Sequence, residues 1–539
     1  MRLSRRALPF LAIYFLILIY PGSALHLRES TEARYGEIAR EMVVTGNWLE
    51  PHLNGIKHFH KPPLSMWGMA AGMEIFGING FGVRFFGIVA ATAALAALLG
   101  TARIFLGNGD EAINAMLICG TSLLFLSSSR VVSTDIYLAC FTALAQLMLF
   151  RQLYGERSFW NAPLYGLFLG LGFLTKGPII LLFTLLPFLV AKTFDRDHRN
   201  VFTWREVAGA AGAFAAVALP WYLAVSISNP ELPDYFLKVQ TVDRVATNRF
   251  GRDKPFWYFF VIFSATFFPY TLFLARGVAG WKQLDGRIRT LFVYIVAPLV
   301  VFSLAKSKLS AYILPFYGTA SIITAYALAR FETARLRAAT LVILTLAAIA
   351  AGGTGFFYKP AAPLKLQLLL YGAALLVLCA YLWKSRLSPQ FVRNTALYTL
   401  CLSVTVYSAM THLGPHLKGY GDMVAAIDRI DPEHKRDILM YGTFIPSLSF
   451  YRNRIAAMGL VTDRDLRFEE DGSRRDIYLP TDADVERFLA ARGEIFVVTD
   501  QGQMDQFRLK HACSVTPVFV QRKHTAYLCR REPPPPPVP

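Results

Sequence analysis

The chain has 539 residues, of which 54% are hydrophobic and 14% aromatic, and its mean hydropathy is +0.39. A soluble domain of this length would not tolerate so much apolar surface, so the composition excludes a soluble enzyme and predicts a mainly α, polytopic membrane protein. The net charge of +18 does not indicate nucleic-acid binding, because the basic residues lie in short connectors between apolar segments, where the positive-inside rule explains them.

Thirteen apolar segments are candidates for membrane spans, since a helix needs about 20 apolar residues to cross a bilayer. The first follows a basic start and also fits a cleaved secretory signal, but we favour an uncleaved span because the later spans need an anchor of fixed orientation. The predicted spans are 7–20, 81–105, 112–128, 135–150, 162–174, 178–191, 207–225, 256–274, 291–304, 311–329, 338–356, 366–382 and 395–411.

The connectors between these spans predict the orientation of the chain. With a cytoplasmic start, the connectors rich in Lys and Arg all fall on the cytoplasmic side: 151–157, 192–205, 276–289, 330–337 and 384–393. An odd number of spans then places the tail outside. We therefore expect a bacterial inner-membrane protein in which the loops 26–80 and 228–254 and the C-terminal region share the periplasmic face.

The first long polar loop, 26–80, is the predicted location of chemistry. Residues 32–43 have helical spacing and a partly apolar stripe suited to a membrane surface, and Gly46 is placed to end this helix. His58, His60 and Lys61 then precede Pro62 and Pro63, and these two prolines fix the backbone beside three potentially cationic side chains. Such a turn is suited to holding an anion.

The C-terminal region predicts a small α/β domain. We expect three parts, namely a membrane domain at 1–411, a periplasmic domain at 412–531 and a disordered Pro-rich tail at 532–539. The predicted strands are 438–441, 447–451, 477–479, 495–499, 515–521 and 525–528, and the predicted helices are 482–491 and 505–511. Cys513 and Cys529 would lie opposite each other on two of these strands, and the sequence leaves open whether they pair.

No glycine-rich phosphate loop, zinc spacing or nucleophile elbow is present in the sequence. What remains is a set of charged residues at the outer ends of spans, where such groups tend to face a cavity or pair with one another. The set consists of Arg130, Asp135, Lys176, Arg244 and Lys308.

A cavity with several cations that opens to the bilayer favours an anionic lipid as its ligand. Arg34, Lys61, Arg244 and Lys308 are the candidates for neutralising its phosphate. Other interpretations stay open, because Lys176 and Lys308 also fit lysines that extend to headgroups, and Arg244 fits a solvated loop charge. Asp135 fits a helix N-cap as well, and His58 with His60 lacks a third metal ligand nearby.

The order of several motifs resembles the membrane glycosyltransferases of the aminoarabinose transferase family, relatives of the protein O-mannosyltransferases within the GT-C fold. The resemblance covers about the first 330 residues. It is carried by 32–42, Gly46-Asn47-Trp48, Asn54-Gly55, Lys61-Pro62-Pro63-Leu64, Thr134-Asp135, Leu174-Thr175-Lys176-Gly177-Pro178, Leu219-Pro220-Trp221-Tyr222, Lys254-Pro255-Phe256-Trp257-Tyr258, Lys308-Leu309 and Tyr312-Ile313-Leu314-Pro315.

The resemblance implies transfer of a sugar from a polyprenyl phosphate carrier to a lipid A phosphate or another glycolipid. By matching motif positions it implies that Arg34, Lys61, Arg244 and Tyr312 hold the carrier phosphate and that Asp135 lines the cavity. With Tyr35 and Lys308, these are the predicted substrate-binding residues, and Glu32 and Asp135 are the candidate catalytic bases.

Two positions depart from the family pattern. The family usually has Asp-Glu where this chain has Thr31-Glu32, so Glu32 or Glu29 would take the place of the missing aspartate. A family metal site uses Glu where His60 stands and His at a position that aligns with Val239. The sequence therefore implies no certain cofactor, and His60 is the candidate ligand if a divalent metal is bound.

Other classes of function remain as alternatives. A protein acceptor would make the chain an O-glycosyltransferase of the O-mannosyltransferase type. A lipid or solute transporter would also place charged groups in a cavity, but we find neither repeated halves nor polar residues at the midplane. A membrane-anchored binding module, with the C-terminal domain as its working part, is a third alternative.

Overall fold

A computed structural model of the chain describes residues 7–20, 25–107, 109–199, 201–242, 253–388, 390–412, 419–461, 474 and 476–531. The chain divides into two compact units. Unit 1 comprises Met1–Tyr20, Lys61–Ser65 and Phe85–Ala409, and unit 2 comprises Pro21–His60, Met66–Arg84 and Met410–Pro539. Arg244 and the Pro-rich segment 532–539 lie outside the described residues.

Unit 1 is built from helices, as the composition predicts. The longer α-helices that make up this unit are Leu8–Ile19, Gly80–Leu106, Asp110–Thr121, Asp135–Tyr154, Asn161–Lys176, Leu185–Phe194, Trp204–Ser228, Tyr258–Thr266, Tyr270–Ala279, Val293–Leu304, Phe316–Arg330, Ala334–Phe357, Lys365–Lys384 and Phe391–His412. Shorter helical segments are Leu123–Ser128, Ile179–Phe183, Arg196–His198, Leu232–Asp234, Tyr235–Val242, Trp281–Gln283, Gly286–Leu291, Ser310–Ile313 and Lys359–Leu364.

Each of the thirteen predicted apolar segments contains helix, but the count of thirteen spans is not confirmed. Among the described residues, six helices are long and apolar enough to cross a membrane, or seven if one bent pair counts as a span. They are Gly80–Leu106, Asp135–Tyr154, Trp204–Ser228, Gly286–Leu304, Ala334–Phe357 and Ala361–Lys384. The chain is thus a multi-pass membrane protein.

Several predicted spans are interrupted, which explains the lower count. The helix Asp110–Thr121 stops before Ser122, whose hydroxyl donates to the carbonyl of Cys119 at 2.7 Å, and a new helix starts at Leu123. The helices Tyr258–Thr266 and Tyr270–Ala279 meet at an angle of 116°. Apolar composition predicts burial or lipid contact along a segment, but it does not predict such breaks.

In unit 2, the first loop begins with the helix Thr31–Thr45, which we call the first-loop helix. Gly46 ends it with a φ of 70°, a left-handed conformation that glycine adopts without steric cost. A short antiparallel hairpin, His52–Leu53 with Ile56–Lys57, and the helix Leu64–Phe76 follow. The apolar stripe predicted to lie on a membrane surface is instead buried inside unit 2, with Ile38 and Ala39 fully inaccessible.

The C-terminal part of unit 2 is an α/β domain with a six-stranded sheet, which confirms the predicted sheet domain. In spatial order the strands are Tyr478–Leu479, Ala457–Gly459, Ile438–Tyr441, Glu494–Asp500, His524–Arg531 and Cys513–Gln521. The first four strands are parallel, and the last two form an antiparallel hairpin at one edge. The helices are Gly421–Ile430, Pro446–Arg452, Asp482–Ala490 and Gln501–Lys510.

Alternating residues of the central strand place one hydrophobic cluster on each face of this sheet. Ile438 and Met440 face a cluster with residues of the helices Gly421–Ile430 and Pro446–Arg452. Leu439 and Tyr441 face a second cluster with residues of the other two helices. Ile56 from the first-loop hairpin belongs to the first cluster, so the first loop contributes to the core of the C-terminal domain.

Two predictions for the C-terminal region have clear outcomes. The predicted strand 447–451 is wrong, because these residues lie in the helix Pro446–Arg452. A run of five apolar and small residues fits a strand or a helix, and Pro446 in the first turn favours the helix by fixing φ without losing a needed hydrogen bond. Cys513 and Cys529, whose pairing the sequence left open, form a disulfide.

Candidate functional site

Asp135 and Lys176 form an ion pair in unit 1. Asp135 is the first residue of the helix Asp135–Tyr154, and Lys176 is the last residue of Asn161–Lys176. Each charge is favourable at its helix end because of the helix dipole, and Gly177 with a φ of 74° stops the second helix directly after the lysine. Both side chains are largely buried, so the pair lies among the packed helix ends.

Tyr312 completes a three-residue cluster with this pair. The ammonium of Lys176 lies 5.0 Å from the centre of the Tyr312 ring, within the range of a cation–π interaction. Tyr312 is buried in the short helical turn Ser310–Ile313, and its ring lies 6.0 Å from that of Phe302 and 6.5 Å from that of Phe259. The structure thus brings together Asp135 and Tyr312 from the predicted site, with Lys176 between them.

Lys308 is buried and bonded to backbone groups. Its ammonium donates to the carbonyls of Ala305 at 2.6 Å and of Lys254 at 2.9 Å. Since Ala305 follows the last residue of the helix Val293–Leu304, one of these bonds closes a helix C-terminus. Burial lowers the pKa of Lys308. Among the described residues, these two carbonyls are the acceptors recorded for its three N–H groups.

Arg130 is close to Asp135 in sequence, but its recorded contacts are with other helices. Its guanidinium donates to the carbonyl of Ile17 at 2.5 Å and lies 3.9 Å from the centre of the Tyr407 ring. These contacts join the first helix of unit 1 to its last helix. Arg130 is therefore best described as a packing residue between helices.

The candidate base Glu32 is buried at the start of the first-loop helix in unit 2. Its carboxylate accepts a hydrogen bond from Nε of Arg28 at 3.1 Å and from Nη2 of Arg84 at 3.3 Å. The backbone N–H of Arg28 donates to the same carboxylate at 3.1 Å. These bonds favour a role for Glu32 in fixing the start of the helix.

Arg34 and Tyr35 are half-buried on the same helix, and Arg34 donates to the hydroxyl of Ser30 at 3.1 Å. Lys61 is also half-buried, and the two prolines that follow it are buried as expected for a rigid turn. Lys61 is assigned to unit 1, whereas Arg34 and Tyr35 belong to unit 2.

Among the described residues, no set of side chains matches the predicted metal site. The rings of His58 and His60 are adjacent, with centres 4.2 Å apart. Within the part of the chain that the structure describes, no group of three or more His, Cys, Asp or Glu side chains is arranged to hold a metal ion. The described residues around His60 therefore do not fit the metal site that the family resemblance implied.

Sequence reasoning missed several polar residues that the structure makes prominent in unit 2. Arg84 bonds Glu32, Asn54 is fully buried, and Glu37, Arg40 and Glu41 form a buried charged cluster on the first-loop helix. A single arginine near the start of an apolar helix was the available signal for Arg84. Arg40 and Asn54 carried no signal, because their partners Asn453 and Ser449 lie some 400 residues further along the chain.

Comparisons with known proteins give a consistent picture. The family model described as dolichyl-phosphate-mannose-protein mannosyltransferase matches residues 60–222. A Proteus mirabilis protein named undecaprenyl phosphate-alpha-4-amino-4-deoxy-L-arabinose arabinosyl transferase 2 is 28% identical over 331 residues, covering 60% of each chain. The corresponding transferase of Edwardsiella ictaluri is 31% identical over 330 residues, covering 59% of this chain and 58% of its own.

Among solved structures, ArnT from Cupriavidus metallidurans bound to undecaprenyl phosphate superposes with a TM-score of 0.83 at 18% identity, covering 98% of each chain. The two proteins therefore share a fold along their whole length. In sequence, the chain spans about 60% of the length of the curated relatives that it matches. The resemblance to aminoarabinose transferases, which the sequence motifs indicated, is confirmed.

Proposed function

We propose that this chain, a relative of the aminoarabinose transferases, moves a sugar from a polyprenyl phosphate carrier to an acceptor at the periplasmic face of the bacterial inner membrane. The observation that carries the proposal is the cluster of Lys176, Asp135 and Tyr312, which places a cation, an anion and a phenol at helix ends in a unit otherwise built from apolar helices. The names of the relatives support undecaprenyl phosphate as the carrier and 4-amino-4-deoxy-L-arabinose as the first sugar to test.

Two observations support the periplasmic location. The basic connectors fall on one side of the chain when its start is cytoplasmic, as the positive-inside rule requires. The disulfide between Cys513 and Cys529 is a kind of bond that persists in an oxidising compartment such as the periplasm. Both observations support a location of the C-terminal domain and the first loop outside the cytoplasm.

The chemistry that we propose is a direct displacement at the anomeric carbon. An oxygen of the acceptor forms a bond to this carbon while the bond from the carbon to the carrier phosphate breaks, and the electron pair leaves with the polyprenyl phosphate. Negative charge therefore builds on the departing phosphate, where positioned cations stabilise the transition state most effectively. Lys176 and Lys308 are two cations that unit 1 contributes, and Lys61, Arg34 and Arg244 are proposed from the sequence.

The acceptor decides whether a base is needed. A lipid A phosphate is already ionised and needs none, whereas a hydroxyl must lose a proton as it attacks. Asp135 is the candidate base for a hydroxyl, with Lys176 neutralising its charge until the substrate binds. Glu32 is less suited, because two guanidinium groups already hold its carboxylate.

A protein acceptor is the second candidate. It is supported by the description of the matching family model, which names a protein mannosyltransferase for residues 60–222. The two acceptors predict different products, since one adds the sugar to lipid A or another glycolipid and the other adds it to Ser or Thr of a secreted protein.

The test is mass spectrometry of lipid A, other glycolipids and periplasmic glycoproteins from cells with and without the gene. We expect one class to gain the mass of a sugar only when the gene is present, and to lose it when Lys176 is replaced by Ala. A change in the distribution of a lipid between leaflets, with no new glycosidic bond in any class, would support a transporter and contradict the proposal.

A further inference from the structure

The second half of the first-loop helix carries three charged residues that are almost completely buried in unit 2: Glu37, Arg40 and Glu41. Arg40 donates from Nε and Nη2 to the two carboxylate oxygens of Glu37, at 2.7 and 2.6 Å. This fork of two parallel bonds fixes the guanidinium in one plane and one direction. The geometry of Arg40 is therefore set by its own helix.

The remaining edge of the guanidinium points out of the helix and bonds the C-terminal domain. Nη1 of Arg40 donates to the side-chain oxygen of Asn453 at 3.2 Å. Asn453 directly follows the helix Pro446–Arg452, which we call the anchoring helix, and has a left-handed backbone with a φ of 52°. Arg40 thus connects the first-loop helix to one defined point of the sheet domain.

Three further polar contacts join the first loop to the same anchoring helix. The N–H of Ser447 donates to Glu29 at 3.0 Å, the N–H of Leu27 donates to the hydroxyl of Tyr451 at 2.6 Å, and Ser449 donates to Asn54 at 2.6 Å. Together with Arg40, they attach both ends of the first-loop helix and the hairpin after it. The orientation of the helix is over-determined by these contacts.

Glu41 adds a proton to the cluster. Its Oε2 accepts a hydrogen bond from the N–H of Gly55 at 2.9 Å, while no described residue donates to its buried Oε1. Burial, followed by the negative charge of Glu37, raises the pKa of Glu41 to about 8. The raised pKa favours the protonated form of Glu41 at neutral pH, in which one guanidinium and one proton neutralise two carboxylates.

The other charged groups near Glu41 form ion pairs with one another. The sheet domain contributes Asp437, Asp476, Arg454 and Arg492 to a cavity of about 440 Å³ that Arg40 and Glu41 also line. Asp437 forms ion pairs with both Arg454 and Arg492. Asp476 is bonded by Arg474, which also reaches the carbonyl of Gly55 in the hairpin. The charge of the cluster itself therefore depends on the proton of Glu41.

A buried cluster of this kind is a costly way to obtain stability. Removing charges from water costs several kcal/mol per ion, and apolar residues of similar volume often stabilise a protein as well or better. Charged clusters are retained in some proteins because they fix one arrangement among several. The arrangement fixed here is the direction of the first-loop helix.

We propose that Arg40, held by Glu37 and Asn453, is a positioning residue for Arg34 and Tyr35, the carrier-binding candidates on the same helix. The inference rests on the proposed function, because those two residues are assigned to the polyprenyl phosphate through it. Arg40 acts through the helix and touches no substrate.

The test compares Glu37→Gln with Glu41→Gln in the full chain, reconstituted in nanodiscs and assayed for transfer from an undecaprenyl phosphate-linked aminoarabinose probe. Each substitution replaces a carboxyl group by an amide of the same size, and the two positions lie on neighbouring turns of one helix. Only Glu37→Gln removes the charge that orients Arg40. We expect Glu37→Gln to lower kcat/KM by about 100-fold, since small misplacements of binding groups have effects of this size. We expect Glu41→Gln to keep the wild-type kcat and KM at pH 7.

A pH profile and a folded control separate positioning from loss of structure. Above pH 8 the wild type should lose activity as Glu41 ionises beside Glu37, and Glu41→Gln should not. The double variant Glu37→Gln/Arg40→Met, whose buried groups are neutral, should recover thermal stability and remain inactive. Unchanged kinetics in Glu37→Gln, recovered activity in the double variant, or an alkaline loss that Glu41→Gln retains would each overturn the inference.

The outcome also separates this inference from the proposed function. A wild-type protein that transfers no sugar from any polyprenyl phosphate donor would overturn the function and the positioning role together. Wild-type transfer with normal kinetics in Glu37→Gln would overturn the positioning role alone.

Discussion

Lys176 and Asp135 join the C-terminal end of one helix of unit 1 to the N-terminal end of another through an ion pair, with Tyr312 beneath the ammonium. Each residue on its own fits an ordinary helix-end charge. Their convergence on a third polar side chain, within a unit otherwise assembled from apolar helices, is what indicates a site.

Replacing Lys176 by Ala should lower sugar transfer by about 100-fold or more, because a cation that stabilises developing charge is lost. Loss of one partner also leaves Asp135 as a buried, unpaired charge, which destabilises the fold. The matched control is Asp135→Asn/Lys176→Met, in which both charges are removed and stability should recover. Thermal unfolding and transfer assays on both variants check this, and a double variant with full activity would contradict the role of the pair.

Replacing Lys61 by Ala should abolish transfer while the protein still folds and inserts. The buried prolines after Lys61 fix the backbone beside it, so the position of its ammonium is restricted. Lys57, whose ammonium lies 3.3 Å from Glu50 in the adjacent hairpin, supplies a control of the same residue type. Lys57→Ala should retain transfer. If the two variants lost the same fraction of transfer activity, the loss would reflect the removal of a positive charge in general, and the specific role of Lys61 would be contradicted.

The stability of unit 2 should fall as pH rises from about 4.5 to about 7 because of Glu29. Burial raises the pKa of Glu29 to about 7 from its ordinary value of 4.5, and its Oε1 accepts a hydrogen bond from the N–H of Ser447. Between these pH values the folded state holds a proton that the unfolded state has released, so the free energy of unfolding decreases with pH. Each such group contributes at most about 1.4 kcal/mol per pH unit.

Glu29→Gln should flatten this dependence, since the amide oxygen still accepts from Ser447 but does not titrate. The measurement is the melting temperature of the purified protein at pH 5, 6, 7 and 8. The raised pKa of Glu41 has the same sign, so Glu29→Gln should remove part of the slope and a variant with both substitutions more of it. If the melting temperature of Glu29→Gln changed with pH as steeply as that of the wild type, Glu29 would not be the group that holds the buried proton.

Asn54→Ala should destabilise unit 2 by about 3 kcal/mol. The side chain of Asn54 donates to the carbonyl of Ala456 at 2.8 Å and accepts from Ser449 at 2.6 Å, and its loss leaves both partners buried and unsatisfied. Its φ of 53° also disfavours alanine. Asn47→Ala, at a half-buried turn, is the control and should cost far less; similar melting temperatures for the two variants would contradict the prediction.

Local pattern predicted a large part of this fold. Apolar composition placed helix in every predicted span, and alternating apolar residues located five of the six strands of the sheet. The strand Ala457–Gly459 was missed because alanine and glycine have low strand propensity, and 447–451 was assigned to a strand because so short a run does not distinguish the two structures. Breaks within apolar segments were not predicted, because apolar composition alone does not show where a helix stops.

For the candidate site, the sequence indicated which residue types matter but not how they combine. Asp135, Lys176 and Lys308 were identified because charges are conspicuous at the ends of apolar segments, and Tyr312 was implied by the family resemblance. That Lys176 pairs with Asp135 while Lys308 caps a helix depends on where each helix ends, which the sequence leaves uncertain by several residues.

The amino-acid sequence by itself determined that this chain is a helical membrane protein with an α/β domain at its C-terminus, and that its polar chemistry gathers in the first loop and at helix ends. These properties follow from local composition and periodicity. Only the tertiary structure decided that the first loop folds as part of the C-terminal domain. Asn54 and Ser449 bond across 395 residues of chain, and no local pattern encodes a contact at that separation.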